Sequence, residues 1–236
     1  MIYLFTYYKY NKYKELNAIM SDTEYILPDK NKLVAGVDEV ARGTFIGPVI
    51  SACVVLPTEF PDEIYKQIKD SKKLSEKKRE FLAKYIKENC LTYGIGEATC
   101  KEIDDINILN ATMKAMHRAI DVAYKKSKFE YLVIDGPNFK PYIPPGYDND
   151  IIEYECVPKG DSKYLSIAAA SILAKDYHTK YIMDLVAKND KLLLYDIQKN
   201  KGYGTKKHHE AINVHGLTEF HRKTFGICRN YSVSFE

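Results

Sequence analysis

Residues Leu33–Gly43 read LVAGVDEVARG. An apolar run with the composition of a buried strand ends in two adjacent carboxylates, Asp38 and Glu39, and behind them come Val40, Ala41, Arg42 and Gly43. Successive strand side chains point to opposite faces, so one of the two charges must face the core side. A carboxylate there needs a positive partner, and the usual functional partner is a divalent metal. Two more acids stand in comparable settings. Asp135 follows the apolar YLVI of residues 131–134 and precedes Gly136-Pro137; Asp161 follows Lys159-Gly160. Taken singly, Asp135 also reads as a turn former before glycine, and Asp161 as a cap on a helix beginning near Lys163. Taken together, the four read as a carboxylate cluster built from the ends of separated elements. Such a cluster repels itself unless divalent cations lie between its members.

Outward from this stretch, the periodicities alternate between those of strands and helices. Leu33–Val37 and Pro48–Leu56 are apolar, β-branched runs joined by a glycine-containing turn, the pattern of a hairpin. Ser75–Asn89 places Phe81, Leu82, Tyr85 and Ile86 at helical spacing. Leu91–Ala98 alternates as a strand does, and Ile103–Lys126 puts Ile108, Met113, Met116 and Ile120 on one helix face. Glu130–Ile134 and Ile151–Val157 read as strands around a Pro/Gly-rich loop, and Lys163–Ala187 as a long helix with an Ala-rich centre. The order β-β-α-β-α-β-β-α predicts an α/β domain around a mixed sheet with a C-terminal helical or irregular cap. Residues 1–32, rich in Tyr, Lys and Asn, read as an N-terminal extension partly ordered by its tyrosines; residues 33–190 read as the α/β domain and 191–236 as an extension packed on it. Asp70, Asp104, Asp105 and Asp176 read as capping or surface acids.

The bulk numbers exclude several classes. A net charge of +3 over 236 residues is not that of a polycation, but the basic residues are clustered, and clusters matter more to a nucleic-acid partner. Five cysteines without a CxxC pair argue against a disulfide framework and a zinc ribbon, and fit a reducing, cytoplasmic or otherwise intracellular compartment. No apolar run reaches membrane-spanning length.

At this point the residues resemble a family. GVDEVARG, GPVISACVVLP, DSKKLSEKKRE, VIDG, KGD followed by SIAAASILAK, and GYGTKKH with a later HRKTF, in this order, resemble ribonuclease HII, the type 2 ribonuclease H. The likeness runs from about Leu33 to Phe225. It implies a ribonuclease H-like α/β fold, with a mixed five-stranded sheet flanked by helices and a C-terminal helical extension. It also implies a metal-dependent endoribonuclease that cleaves the RNA strand of RNA–DNA hybrids. Such an enzyme also incises duplex DNA 5′ to embedded ribonucleotides, leaving 3′-hydroxyl and 5′-phosphate ends. Carried over, Asp38, Glu39, Asp135 and Asp161 are the catalytic and metal-binding carboxylates for Mg2+ or Mn2+, two ions during catalysis. Ala41, Arg42 and Gly43 stand at the triplet whose main chain reads the ribose 2′-hydroxyl, the group that tells RNA from DNA. Ser71 and Lys72 would hold the phosphate backbone, with Lys77–Arg79 a solvated helix face. Tyr203 would pack on the sugar beside the scissile position. Partners are RNA–DNA hybrids and ribonucleotide-containing duplex DNA, with no membrane and no obligate protein partner.

Two departures from the family pattern carry expectations of their own. Ala41 replaces a glycine and is expected to hold a negative φ at no cost. His178-Thr179 replaces an Arg-Asp pair, so a supporting salt bridge is expected to be missing, at small cost if exposed. His208, His209, His215 and His221 lack cysteines at ligand spacing, and His208 and His221 are expected to support structure or phosphate binding rather than zinc. Two other readings stay open: a ribonuclease HIII-like hybrid nuclease, against which Tyr203 and the short N-terminal extension argue, and a non-catalytic nucleic-acid-binding subunit.

Overall fold

The computed structural model describes residues 25–27, 31–145 and 151–232. Most of the extension assigned to residues 1–32, and the last part of the Pro/Gly-rich loop, lie outside the described residues.

The five predicted strands form one sheet, each shifted by one to three residues from its expected bounds. They are β1 (Val34–Val40), β2 (Val49–Val55), β3 (Thr92–Ala98), β4 (Tyr131–Asp135) and β5 (Glu153–Val157), in the order β3-β2-β1-β4-β5. β1 runs antiparallel to β2 and β2 to β3, whereas β4 lies parallel to β1 and β5 parallel to β4. β1 continues through Val40, so Asp38 and Glu39 lie within the strand rather than beyond it. Because Val37 pairs with Ile134, the parallel register brings Asp38 and Asp135 to the same end of neighbouring strands.

Three long helices cover the sheet. Helix α1 (Glu76–Asn89) starts at Ser75, whose hydroxyl accepts from the Lys78 amide. Helix α2 (Cys100–Lys126) starts three residues earlier than its apolar spacing predicts. Thr99 and Glu102 form a reciprocal capping box there, and Asn107, at φ 67°, then breaks the helix. Helix α3 (Leu165–Lys188) is buried almost all round in its Ala-rich first half, because it lies between the sheet and α1. Ala35 and Val37 of β1 pack on Met113, Met116 and Ile120 of α2, while Val40 faces Ala168 and Ile172 of α3. At Gly36 a Cβ would come 2.2 Å from the Ser166 carbonyl carbon, so a side chain there would push α3 off the strand.

The chain then turns through α4 (Ile197–Asn200) and α5 (Lys206–His215). Leu192, Tyr195, Ile212 and Leu217 share a core with Ile182 and Val186 of α3 and with Ile46, in the loop after β1. The C-terminal segment is therefore built onto that loop, with single β-bridges from Thr44 to Tyr203 and from Ile46 to His221. Tyr25–Leu27 also joins the body: the Ile26 amide donates to the Lys163 carbonyl and the Leu165 amide to that of Ile26. Among the described residues no helix is long and apolar enough to cross a membrane.

Candidate active site

Asp38 is the core-facing member of the strand-end pair, 5% exposed. Its carboxylate accepts from the Glu39 amide (2.7 Å), and the Ser171 hydroxyl of α3 favours its charged form. Burial, with Glu39 and Asp135 adding repulsion, pushes its carboxyl well above the usual carboxylate range. Glu39 points the other way, to Arg42 at 3.2 Å, and burial outweighs that cation to raise its carboxyl too. Asp135, at the tip of β4, accepts from the Gly160 amide at 2.6 Å; burial raises it, and nearby Asp161 adds to the rise. Asp161 sits in a 3-10 turn (Gly160–Ser162) behind Lys159, which is left-handed at φ 57°. It does not cap α3, whose first turn has no side-chain cap; instead it takes Lys72 Nζ at 3.2 Å. The phenol of Tyr25 donates to the Asp161 carbonyl and accepts from the Asp70 amide, clamping two site loops together.

These four acids thus meet at one end of the sheet, yet each leans on a local donor or cation. Among the described residues no three His, Cys, Asp or Glu side chains are grouped closely enough to hold an ion as they stand. The chemistry nevertheless fits one. The donor set is all carboxylate oxygen, which suits a hard divalent cation, and Glu39 Oε2 is buried with no hydrogen-bond partner. A divalent ion would displace the weaker partners, Lys72 and Arg42, whose side chains are 72% and 46% exposed and can move away.

A second row of side chains stands behind Asp38. Lys175 Nζ donates to Ser71 Oγ at 2.6 Å, Ser71 Oγ lies 2.8 Å from Ser171 Oγ, and the Ser171 hydroxyl favours the charged form of Asp38. The Lys175 ammonium is lowered by burial and by the repulsion of Lys72. Ser71 is fully buried, so its hydroxyl serves this chain, not the surface. Lys72 is the exposed member of the pair.

The loop after β1 is held by a residue far down the chain. Arg222, fully buried, donates to the carbonyls of Ala41 (2.7 Å), Arg42 (3.0 Å) and Gly47 (2.8 Å). Thr44 adds a hydroxyl to the Ala41 carbonyl at 3.1 Å. Tyr203 lies over the same loop: a Cβ on Gly43 would be 4.0 Å from its ring, and the residue is 42% exposed. Burial raises its phenol, offset in part by the Ala41 backbone and by Arg222 and Lys72.

Comparison with known proteins decides the family. The profile described as Ribonuclease HII matches residues 35–228. The chain belongs to the ribonuclease HII family. It is 45% identical over 194 residues to the Ribonuclease HII of Christiangramia forsetii, covering 82% of this chain and 90% of that protein. Among solved structures it resembles the ribonuclease H2 of Pyrococcus horikoshii, with a TM-score of 0.64 and 25% identity over 84% of this chain and 95% of that one. The crystal structure of Bst-RNase HIII in complex with Mn2+ is alike in fold alone, with a TM-score of 0.58 and 16% identity over 78% of this chain and 70% of that one. The protein is accordingly a hydrolase of the type 2 ribonuclease H class.

Within this chain several expectations need correction. Ala41 has φ 65°, in the left-handed region, not the negative φ expected. The loop must reverse there so that its carbonyls meet Arg222, and position 41 keeps the backbone that a glycine would adopt. Asp176 is not a surface acid but 5% exposed, because it lies on the face of α3 turned toward α1, paired with Lys180 (3.1 Å) and Lys87 (3.7 Å). Arg79 is not part of a solvated face: it donates to the carbonyls of Ser71 and Leu74, bracing the Ser71-Lys72 loop. His178 is buried, with no hydrogen-bond partner for Nε2. Asp104 does more than lie on the surface; it accepts from the Lys223 and Thr224 amides and ties the C-terminal segment to α2. Asp70 caps the 3-10 turn Ser71–Lys73, as its position suggests. Sequence reasoning missed Arg222, Lys175 and Ser171. All three lie inside motifs already singled out, and the available signal was a basic or hydroxyl residue on an otherwise apolar helix face or beside the C-terminal aromatic segment.

Proposed function

We propose that this protein cuts the RNA strand of RNA–DNA hybrids and incises duplex DNA 5′ to embedded ribonucleotides, leaving 3′-hydroxyl and 5′-phosphate ends. The observation that carries this reading is the meeting of Asp38, Glu39, Asp135 and Asp161, with the partnerless Glu39 Oε2, beside a loop covered by Tyr203. Asp38 and Asp135 would share Mg2+ or Mn2+, with Glu39 and Asp161 completing the ligands. Bound there, two such ions would supply Lewis acidity for in-line attack of water on the phosphodiester.

The chain's own groups supply the rest. Ser171, backed by Ser71 and Lys175, holds the Asp38 carboxylate in place. Lys72, released from Asp161, is placed to meet a backbone phosphate as a point charge carrying no sequence information. The carbonyls of Ala41 and Arg42 are engaged by Arg222, and the amides of Arg42 and Gly43 would meet a 2′-hydroxyl. Tyr203 presents a ring to the sugar next to that hydroxyl. Substrate choice then follows sugar and backbone shape rather than base sequence.

The carboxylates should act as a unit. Asp38→Asn and Asp135→Asn should each lower turnover on a duplex with one ribonucleotide by orders of magnitude while duplex binding persists. Near-normal turnover of both variants with Mg2+ would remove these residues from the site, and inactivity of the unaltered protein with either ion would favour a non-catalytic binding subunit.

A further inference from the structure

His208 and His221 are almost completely buried and lie apart from the carboxylates. Their hydrogen bonds have a direction that can be worked out. The Thr218 amide can only donate, and it does so to His221 Nδ1 at 3.0 Å. That nitrogen therefore carries no proton, and the Thr218 hydroxyl, 2.8 Å away, adds a second donor to it. The His221 proton is then on Nε2, which faces His208 Nε2 at 3.1 Å. His208 Nε2 must accept, so its proton is on Nδ1, which lies 3.1 Å from the Tyr203 carbonyl. Every link is satisfied with two neutral rings in opposite tautomers, and with no other arrangement. A second proton on either ring would set donor against donor. The surroundings favour neutrality: Tyr195 packs edge-on to both rings, and Phe45 lies against His208.

The end of this chain is the part that matters for substrate. The Tyr203 carbonyl also accepts from the Thr205 amide at 2.8 Å, so two donors from different directions fix one peptide plane. From that plane the Tyr203 ring reaches Gly43. We propose that His208 and His221 are positioning residues: a two-imidazole relay that orients Tyr203 and so tunes the discrimination between a lone ribonucleotide and a continuous hybrid. This rests on the reading above that Tyr203 packs on the sugar beside the cut.

The test separates hydrogen bonding from packing. In His208→Asn the side-chain amide can occupy the place of Nδ1–H and still donate to the Tyr203 carbonyl. In His208→Phe the ring packing stays and the donor is lost. The measured quantity is the ratio of cleavage on a single-ribonucleotide duplex to cleavage on a hybrid. His208→Phe should lower it about ten-fold, one hydrogen bond's worth, toward the value of Tyr203→Ala, and His208→Asn should retain most of it. A normal ratio in His208→Phe with a lowered one in His208→Asn would show that the ring only fills space, and would overturn the proposal. If Tyr203→Ala itself leaves the ratio unchanged, it is the reading of Tyr203 that fails. Nitrogen-15 NMR of the unaltered protein checks the relay without any variant. It should show the proton on Nδ1 of His208 and on Nε2 of His221; the same tautomer in both rings, or a charged ring at neutral pH, would overturn the relay.

Discussion

Ala41 holds a left-handed conformation with its Cβ in the core between β1 and α3. A non-glycine residue in this region costs about 1–2 kcal/mol. Replacing it with glycine relieves that cost. The same change removes a buried methyl worth about 0.8 kcal/mol and gives the unfolded chain freedom worth roughly 0.5–1 kcal/mol. The terms nearly cancel. Ala41→Gly should therefore shift stability by less than about 1 kcal/mol in urea unfolding and leave single-ribonucleotide cleavage within two-fold, because Arg222 and Thr44 already hold the loop. Ala41→Val, β-branched in the same conformation, should lose at least about 2 kcal/mol. A several-fold gain in cleavage for the glycine variant would mean that the strain reaches the sugar site.

The loop 41–47 depends on elements that the sequence separates widely. The three carbonyls bound by Arg222 lie 175 to 181 residues upstream of it, which is why no local pattern reveals the contact. The strands β1, β2 and β4 were legible because apolar, β-branched runs with terminal acids leave few other readings. So was the tip of β4 that carries Asp135, whereas β1 runs three residues past its expected end and takes Asp38 and Glu39 into the strand. The start of α2 was not, because a capping box rather than an apolar residue begins it; nor was the burial of Asp176, which only the packing of α1 on α3 creates. Arg222→Met should leave the Arg42 and Gly47 carbonyls without a donor and the Ala41 carbonyl with Thr44 alone, at a cost on the order of 3 kcal/mol, and should weaken the reading of a lone ribonucleotide. Arg222→Lys, with one ammonium for three carbonyls, should recover only part of both. Full recovery by lysine in urea unfolding and in cleavage would show that the charge alone suffices and that the forked geometry is idle.

The whole molecule carries two opposed responses to acid. Asp38, Glu39 and Asp135 have carboxyls raised by burial, so the folded state takes up their protons more readily than the unfolded chain does, and acid relieves their repulsion. The buried histidines act the other way. Burial, with the charges of Arg222 and Lys201, brings His178 down to about 4, and burial with His208 brings His221 to about 3. An unfolded histidine protonates near 6.5, so the stability that each neutral ring contributes is complete above that pH. It is lost as the pH falls toward the folded value, because only the unfolded chain gains the proton. By pH 5 this amounts to roughly 2 kcal/mol for each ring. The two responses overlap in a simple pH titration, and a variant separates them. His178→Leu removes one titrating ring and leaves the carboxylates alone. Its stability relative to the unaltered protein should improve by about 2 kcal/mol between pH 7 and pH 5, whatever its offset at pH 7. Chemical denaturation at both pH values measures this difference directly. Parallel losses in the two proteins would show that His178 takes up its proton in the folded state as easily as in the unfolded one, and that the space around it opens to water.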